Sequence, residues 1–298
     1  MKTDLSDLEA FTHVARAGGF REAARGRGVS ASALSEAVRR LEMRLGIRLL
    51  HRSTRSVVPT EAGLRLIERL MPALNEVSAA LDDLNLYRDR PAGTLRLNVP
   101  TSAARMTLPA ILPGFLAEFP DIRIEVMTDE SYVDIVAEGC DAGIRYDERL
   151  EQDMIAVPIG PREQRFALGA SPAYVAQMGM PEHPRDLLDH RCIRHRFPSG
   201  NMPAWEFERE GETVRITPDG PLIVQAGGGI DLGVDAAVAG VGVIALFEQW
   251  LRPRFDSGEL VPVLEPWWLR FPGPFLYYSG RRLVPTPLRA FIDYVRRS

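Results

Sequence analysis

Cysteine is nearly missing from this 298-residue chain. Cys140 and Cys192 are its only two, too few for a disulfide framework and without C-x-x-C spacing, so two reduced, partly buried thiols are expected. Long apolar runs are missing as well. None approaches the roughly 18 residues of a membrane span, and MKTDLSDLEAF carries acids where a signal peptide needs an apolar core. A cytoplasmic protein with no membrane partner is the expectation. Catalytic constellations are also scarce. GVGVIA (240–245) matches G-x-G-x-x-A in form, but an expected helix at 231–239 precedes it and a strand follows, the reverse of a dinucleotide turn. His190, Cys192 and His195 match no zinc spacing and accompany no nucleophile motif. Gly227-Gly228-Gly229 reads equally as a pocket border or a flexible loop. Neither an enzyme, a cofactor nor a metal site is expected.

What is present is ordinary in bulk and uneven in distribution. The chain is 45% hydrophobic and 26% charged, a soluble globular composition, and its length suggests two or three units. Residues 1–60 hold 11 Lys and Arg against 6 Asp and Glu, net +5, leaving 25 against 34 in residues 61–298, net −9, for an overall −4. Ten of those 11 cations are Arg, suited to bidentate contacts with guanine and phosphate. A basic head sits on an acidic body.

The stretch VSASALSEAVRRLEMRLGIRLLHRSTRSVVPT (29–60) carries most of the information. Leu34, Val38, Leu41 and Leu45 recur at helical spacing, with Ser30 as N-cap and Gly46 as stop. Upstream, Leu5, Leu8, Phe11, Val14 and Ala15 mark a first helix ended by Gly18-Gly19, and 20–27 a short second one. This is a helix-turn-helix whose later helix enters the major groove. Ser32, Ala33 and Ser35, with Ser30 at the cap, are the candidates for base edges, and Arg39 and Arg40 for phosphates. The alternative for Arg39, Arg40 and Arg44 is a solvated face balanced by Glu36 and Glu42. Residues 47–50 and 57–60 flank His51–Ser56 as a β-hairpin wing carrying Arg52 and Arg55.

Beyond Thr60, Ile67, Leu70, Leu74, Val77, Leu81 and Leu84 step by three and four residues. That is a coiled-coil stripe, read as pairing with a second subunit or as packing on its own domain. Pro72 interrupts it and should kink the helix or begin a new one. After a hinge at 88–93, strands at 94–99, 122–128 and 142–146 alternate with helices at 107–119 and 132–138, implying an α/β domain with mainly parallel sheets. Further strands are expected near 155–159, 164–169, 192–196, 222–225, 242–246 and 261–264, and helices near 172–177, 231–239 and 287–297.

The segment FREAARGRGVSASALSEAVRRLEMRLGIRLLHRSTRSVVPTEAG resembles the N-terminal region of LysR-type transcriptional regulators, with A-A, V-S, S, L-E, L-G, R, R and T-x-A-G in order. AEGCDAGIRY, SPAYV, AAVAGVGV and RAFIDYV extend the resemblance along the chain. Arg27, Ala31, Leu50 and Pro59 depart from the commoner Leu, Gln, Phe and Leu. The resemblance implies an all-α winged helix-turn-helix (1–60), a linker helix and hinge (61–90) and a two-lobed α/β effector domain like a periplasmic binding protein (91–298). Lobe I would take about 91–163 and 266–298, and lobe II about 164–265. The implied function is sequence-specific binding of double-stranded DNA at an inverted-repeat operator by a homodimer or homotetramer, under control of a small-molecule effector. The competing reading is a solute-binding protein without regulated DNA binding. Ligands of α/β domains sit beyond the carboxyl ends of strands. Thr101, Ser102, Thr128 and Arg145 are therefore the candidates to hold an anionic effector, with Phe197 adding aromatic bulk. Thr101 and Ser102 read equally as a helix cap, and Arg145 as a structural ion pair. Effector binding would shift lobe arrangement, head spacing, DNA bending and contact with RNA polymerase.

Overall fold

In the head, the apolar spacing becomes a small three-helix core. The computed structural model describes residues 4–25, 29–52, 57–83, 91–131, 135, 139–146, 154–280 and 284–297. Helix α1 (Leu5–Ala17) starts where the Asp4 carboxylate accepts from Ser6 N at 3.1 Å and stops at Gly18, φ 62°. Helices α2 (Phe20–Ala24) and α3 (Ala31–Leu45) follow. Phe11, Val38 and Leu41 are completely buried, each worth about 1.5–3 kcal/mol over an exposed position. The buried face of α1 is rotated from the expected one. Asp7, Ala10, Phe11 and Val14 are buried whereas Leu5 is 44% exposed. Strands β1 (Leu50–Arg52) and β2 (Val57–Pro59) pair antiparallel as the wing, Leu50 opposite Pro59.

Helix α4 (Glu61–Asp83) continues through Pro72, giving up the bond that a proline nitrogen cannot donate. Its stripe divides. Leu66, Ile67 and Leu70 pack against the head's own core, and Val77 is 43% exposed. The side chain of Leu81, all of Leu84 and the expected hinge at Arg88–Arg90 lie outside the described residues. Helices α1–α4 with the wing form one compact unit and the chain from β3 onward forms the body of another.

The second unit holds two lobes. In lobe I, β3 (Gly93–Val99), α5 (Thr101–Met106), α6 (Leu108–Glu118), β4 (Ile122–Thr128), β5 (Ala142–Tyr146) and β6 (Met154–Pro158) run in sequence. In lobe II come β7 (Glu163–Ala170), α7 (Pro172–Met178), β8 (Cys192–Arg196), β9 (Trp205–Arg209), β10 (Glu212–Ile216), β11 (Leu222–Gln225) and α8 (Ile230–Val238). β12 (Val243–Phe247), α9 (Glu248–Asp256), β13 (Val261–Val263) and β14 (Arg270–Pro272) complete it, before β15 (Pro274–Ser279) and α10 (Thr286–Arg297) return to lobe I. Among the described residues the sheet orders are β4-β3-β5-β15-β6 and β11-β8-β12-β7-β13, with β14 also on β7.

The sheets are less parallel than the alternation of strand and helix implied. β15 runs antiparallel to β5 and β6, and β7 antiparallel to β12, β13 and β14. Both antiparallel insertions arise where the chain changes lobe. The expected helix at 107–119 begins one residue later, preceded by the separate α5. The expected helix at 132–138 lies almost wholly outside the described residues. No helix among the described residues is long and apolar enough to cross a membrane.

The lobes are joined by two adjacent chain crossings, 159–162 outward and Gly273 on return. Ile159 N donates to the Pro274 carbonyl and Gly273 N to the Arg162 carbonyl, each at 2.9 Å. A Cβ on Gly273 would fall 1.6 Å from the Pro161 carbonyl oxygen, so the crossings lie this close only because residue 273 has no side chain. We expect Gly273→Ala to cost about 3 kcal/mol in denaturant unfolding. Gly228→Ala, where a Cβ meets nothing within 4 Å, should be near neutral; equal losses would refute the role given to residue 273.

Candidate nucleic-acid interface and effector cleft

Helix α3 is capped as its sequence suggests. Ser30 Oγ accepts from Ala33 N at 3.1 Å and lies 2.8 Å from Ser32 Oγ, and the first turn carries no acid. Ser32 and Ala33 are exposed and Ser35 is half-buried. The basic residues then part ways. Arg40 Nη2 donates to Asp7 Oδ1 at 2.6 Å, with Arg44 Nη1 3.6 Å from Oδ2, and Asp7 is 1% exposed. This pairing raises the Arg40 pKa, chiefly through the Asp7 hydrogen bond. Arg40 therefore fastens α3 to α1 and neutralises a buried carboxylate that would otherwise be costly.

Arg52 is also engaged. Its Nη2 donates to Glu42 Oε2 at 2.9 Å and its Nη1 to Ser35 Oγ at 3.3 Å, with the guanidinium 5.1 Å from the Phe20 ring centroid. The other oxygen of Glu42 accepts from Leu49 N and Leu50 N at 2.9 and 3.1 Å. Glu42 thus moors the wing to α3 rather than balancing charge along the helix. Arg39 and Arg48 flank the groove between α3 and the wing, exposed and without a side-chain bond among the described residues. Arg48 is a candidate the sequence reading missed, although it stands in the same basic run. Arg55 lies outside the described residues. Asp7 also left a signal, standing three, four and seven residues before Ala10, Phe11 and Val14.

Between the lobes is a cavity of about 370 Å³. Ser102 and Glu130 reach it from lobe I, and Phe166, Phe197, Trp205, Phe207, Ile230 and Phe247 are among its lobe II walls. Of the five expected effector residues, Ser102 and Phe197 line it. Thr101 adjoins it, but its backbone N–H donates to Glu130 Oε1 at 2.8 Å, so the chain's own carboxylate takes the donor meant for an anion. Thr128 is exposed at the end of β4 and does not line the cavity. Arg145 is 6% exposed and donates to Ile144 O and Asn98 Oδ1 at 2.7 Å, to Ser131 O at 3.1 Å and to Asn98 O at 3.4 Å. Its guanidinium is spent on lobe I. The proposed anion cluster is therefore dispersed.

Trp205, Glu206 and Phe207 come from the β9–β10 hairpin, which went unread in the sequence. It turns on Glu210 and Gly211, at φ 53° and 86°, where the usual Asn-Gly or Asp-Gly signal is absent. Alternation was nevertheless there, since Trp205, Phe207, Val214 and Ile216 are buried. An aromatic series crosses the lobes, Tyr146 to Phe247 at 5.0 Å and Phe247 to Phe166 at 4.9 Å between centroids. Burial raises the pKa of the Tyr146 hydroxyl, while neighbouring Ser102, Gln164 and Thr107 pull it down. The Tyr146 and Thr107 hydroxyls and the Gln164 amide nitrogen are buried without a partner in full hydrogen-bonding geometry among the described residues. A second lobe-to-lobe bridge places Arg105 Nη1 2.5 Å from Asp231 Oδ1 and its guanidinium 4.4 Å from the Trp250 centroid.

His190, Cys192 and His195 do not converge. His190 Nδ1 meets Tyr174 Oη at 3.2 Å, and Cys192 is buried with Sγ 3.7 Å from Leu187 O. Burial pushes the Cys192 thiol up to about 12, unsuited to nucleophilic work at neutral pH. His195 lines the cavity, its Nε2 is buried with no partner among the described residues, and burial, with a lesser push from Arg194, lowers its pKa to about 4.

Residues 88–298 match the family model of the LysR substrate binding domain, and residues 5–64 that of the bacterial regulatory helix-turn-helix protein, lysR family. The chain is similar to the uncharacterized HTH-type transcriptional regulator YcaN of Escherichia coli (strain K12), 43% identical over 296 residues, 99% of this chain and 96% of that one. It is also similar to the HTH-type transcriptional regulator PgrR of Escherichia coli (strain K12), 37% identical over 99% of this chain and 98% of that one. Among solved structures, the full-length Vibrio cholerae virulence activator AphB, a member of the LTTR protein family, aligns with a TM-score of 0.68 at 25% identity, covering 99% of each chain.

The depressed His195 pKa makes a pH prediction. Above about pH 6.5 the imidazole is neutral in both folded and unfolded chains, so its contribution is intact. As pH falls from there towards about 4, the unfolded chain binds a proton that the folded one declines. Stability drops by up to about 1.4 kcal/mol per pH unit. Denaturant titrations of wild type and His195→Gln should diverge across this window and run parallel above it; parallel curves throughout would refute the assignment.

Proposed function

The chain belongs to the LysR family of helix-turn-helix transcriptional regulators, and we propose from that premise that it binds an inverted-repeat operator in double-stranded DNA, in the cytoplasm, as a homodimer or homotetramer. The observation that carries the DNA contact is the pair of exposed guanidinium groups, Arg39 and Arg48, without a side-chain bond among the described residues, on either side of the groove between α3 and the wing. They meet phosphate without first breaking an internal bond. Ser32 and Ala33 on the exposed first turn of α3 are the base-edge candidates, and Ser30 and Ser35 flank them. Arg40 and Arg52 act by holding α3 and the wing in register, because their own contacts are internal.

Pairing uses the part of α4 that the head core leaves over, at Leu74 and Val77, since Ile67 and Leu70 are already packed. A small organic effector in the cavity touches both lobes, so its binding favours one lobe arrangement and, through the paired helices, one spacing of the heads on DNA. DNA bending and contact with RNA polymerase are the outputs of that spacing.

A gel shift with the region upstream of the chain's own gene tests the reading. Arg39→Ala and Arg48→Ala should each weaken binding and lower the slope of log affinity against log salt by about 0.9. Arg40→Ala should lower the melting temperature of the head. No specific shift with wild type would leave a solute-binding protein instead, and unchanged salt slopes in both variants would remove the phosphate assignment.

A further inference from the structure

We propose that the cavity between the lobes takes a small aromatic ligand carrying an amine, whose cationic nitrogen is held by Glu130, rather than an organic acid. This rests on the reading of that cavity as the effector site. Its volume, about 370 Å³, suits a ring with a short side chain, within the usual range of about 300–1,000 Å³ for such sites. Phe166, Phe197, Trp205 and Phe247 supply aromatic walls. The charged groups among the described lining residues are both carboxylates, Glu130 and Glu206.

The two carboxylates differ. Glu206 has a counterion, with Arg215 Nε at 3.4 Å from its Oε1. Glu130 has none among the described residues. One of its oxygens accepts from Thr101 N at 2.8 Å, and its other oxygen has no partner among the described residues. Glu130 also sits where the lobes meet, because a Cβ on Gly227 would lie 3.2 Å from its Cγ. A cation bound there is neutralised by the carboxylate, while its ring meets the aromatic walls of the same cavity. An acid in the same place would set two negative charges together. His195 also lines the cavity, and the depressed pKa keeps its imidazole uncharged at neutral pH, so it adds no second cation to compete for Glu130.

Calorimetric titration of the full chain with 2-phenylethylamine, 2-phenylethanol and 3-phenylpropionate separates charge from shape. We expect the amine to bind at least about tenfold more tightly than the alcohol, and the acid more weakly than either. Glu130→Gln should bring the amine down to the affinity of the alcohol. Its melting temperature should stay near that of wild type, because the amide oxygen still accepts from Thr101 N. Acid binding equal to or tighter than amine binding, no heat from any of the three, or an unchanged amine affinity in Glu130→Gln would each overturn the proposal. A gel shift on the same ligand-free protein keeps the two readings apart. DNA binding without amine binding removes only the ligand class, and amine binding without DNA binding removes only the regulator.

Discussion

The effector domain depends on a close backbone approach at two adjacent chain crossings. Gly273 passes the Pro161 carbonyl at a distance no side chain permits, and hydrogen bonds from Ile159 and Gly273 lock the crossings side by side. The lobes pack around two cores with a seam between them, and Met106 of lobe I reaches into the lobe II core. A cleft then needs no special carving. It is the surface the two cores cannot bury against each other, lined by aromatic rings from lobe II and by Ser102 of α5 and Glu130 after β4 from lobe I. Arg105, held between Asp231 and Trp250, bridges the same seam, so the cleft has both a hinge and a strut.

The second theme is competition for donors. Each cationic or N–H group that looked available in the chain is taken wherever an acceptor of the same chain lies within reach. Asp7 takes Arg40, Glu42 takes Arg52 and two wing amides, Glu130 takes Thr101 N, and lobe I carbonyls take Arg145. The reason is the cost of burying an unsatisfied polar group, about 1–3 kcal/mol each. What remains for partners is the residue that folding left unpaired. Among the described residues this includes, in the head, Arg39 and Arg48 beside the groove and, in the cleft, one oxygen of Glu130.

Much of the architecture was legible in one dimension because periodicity reports burial directly. The spacing of Leu34, Val38 and Leu41 marked α3, and most lobe strands fell within a residue or two of their apolar runs. The misses have physical causes. Strand β15 is antiparallel because the chain re-enters lobe I beside β5, an event with no local signature. The β9–β10 hairpin hid behind charged outward positions and an uncommon Glu-Gly turn. Helix α1 was read one position off because Asp7 occupies a core-facing site on which only its distant partner makes a carboxylate tolerable.

The residue order alone determined that this chain is a basic helix-turn-helix head on an acidic α/β body, since spacing and charge distribution are properties of the chain itself. Which arginines face outward, which carboxylate guards the cleft and whether Arg145 reaches a ligand were decided only in three dimensions. Pairings such as Asp7 with Arg40, 33 residues apart, or Thr101 with Glu130, 29 apart, exist only after the cores have packed. A side chain's availability is what its folded neighbours leave over.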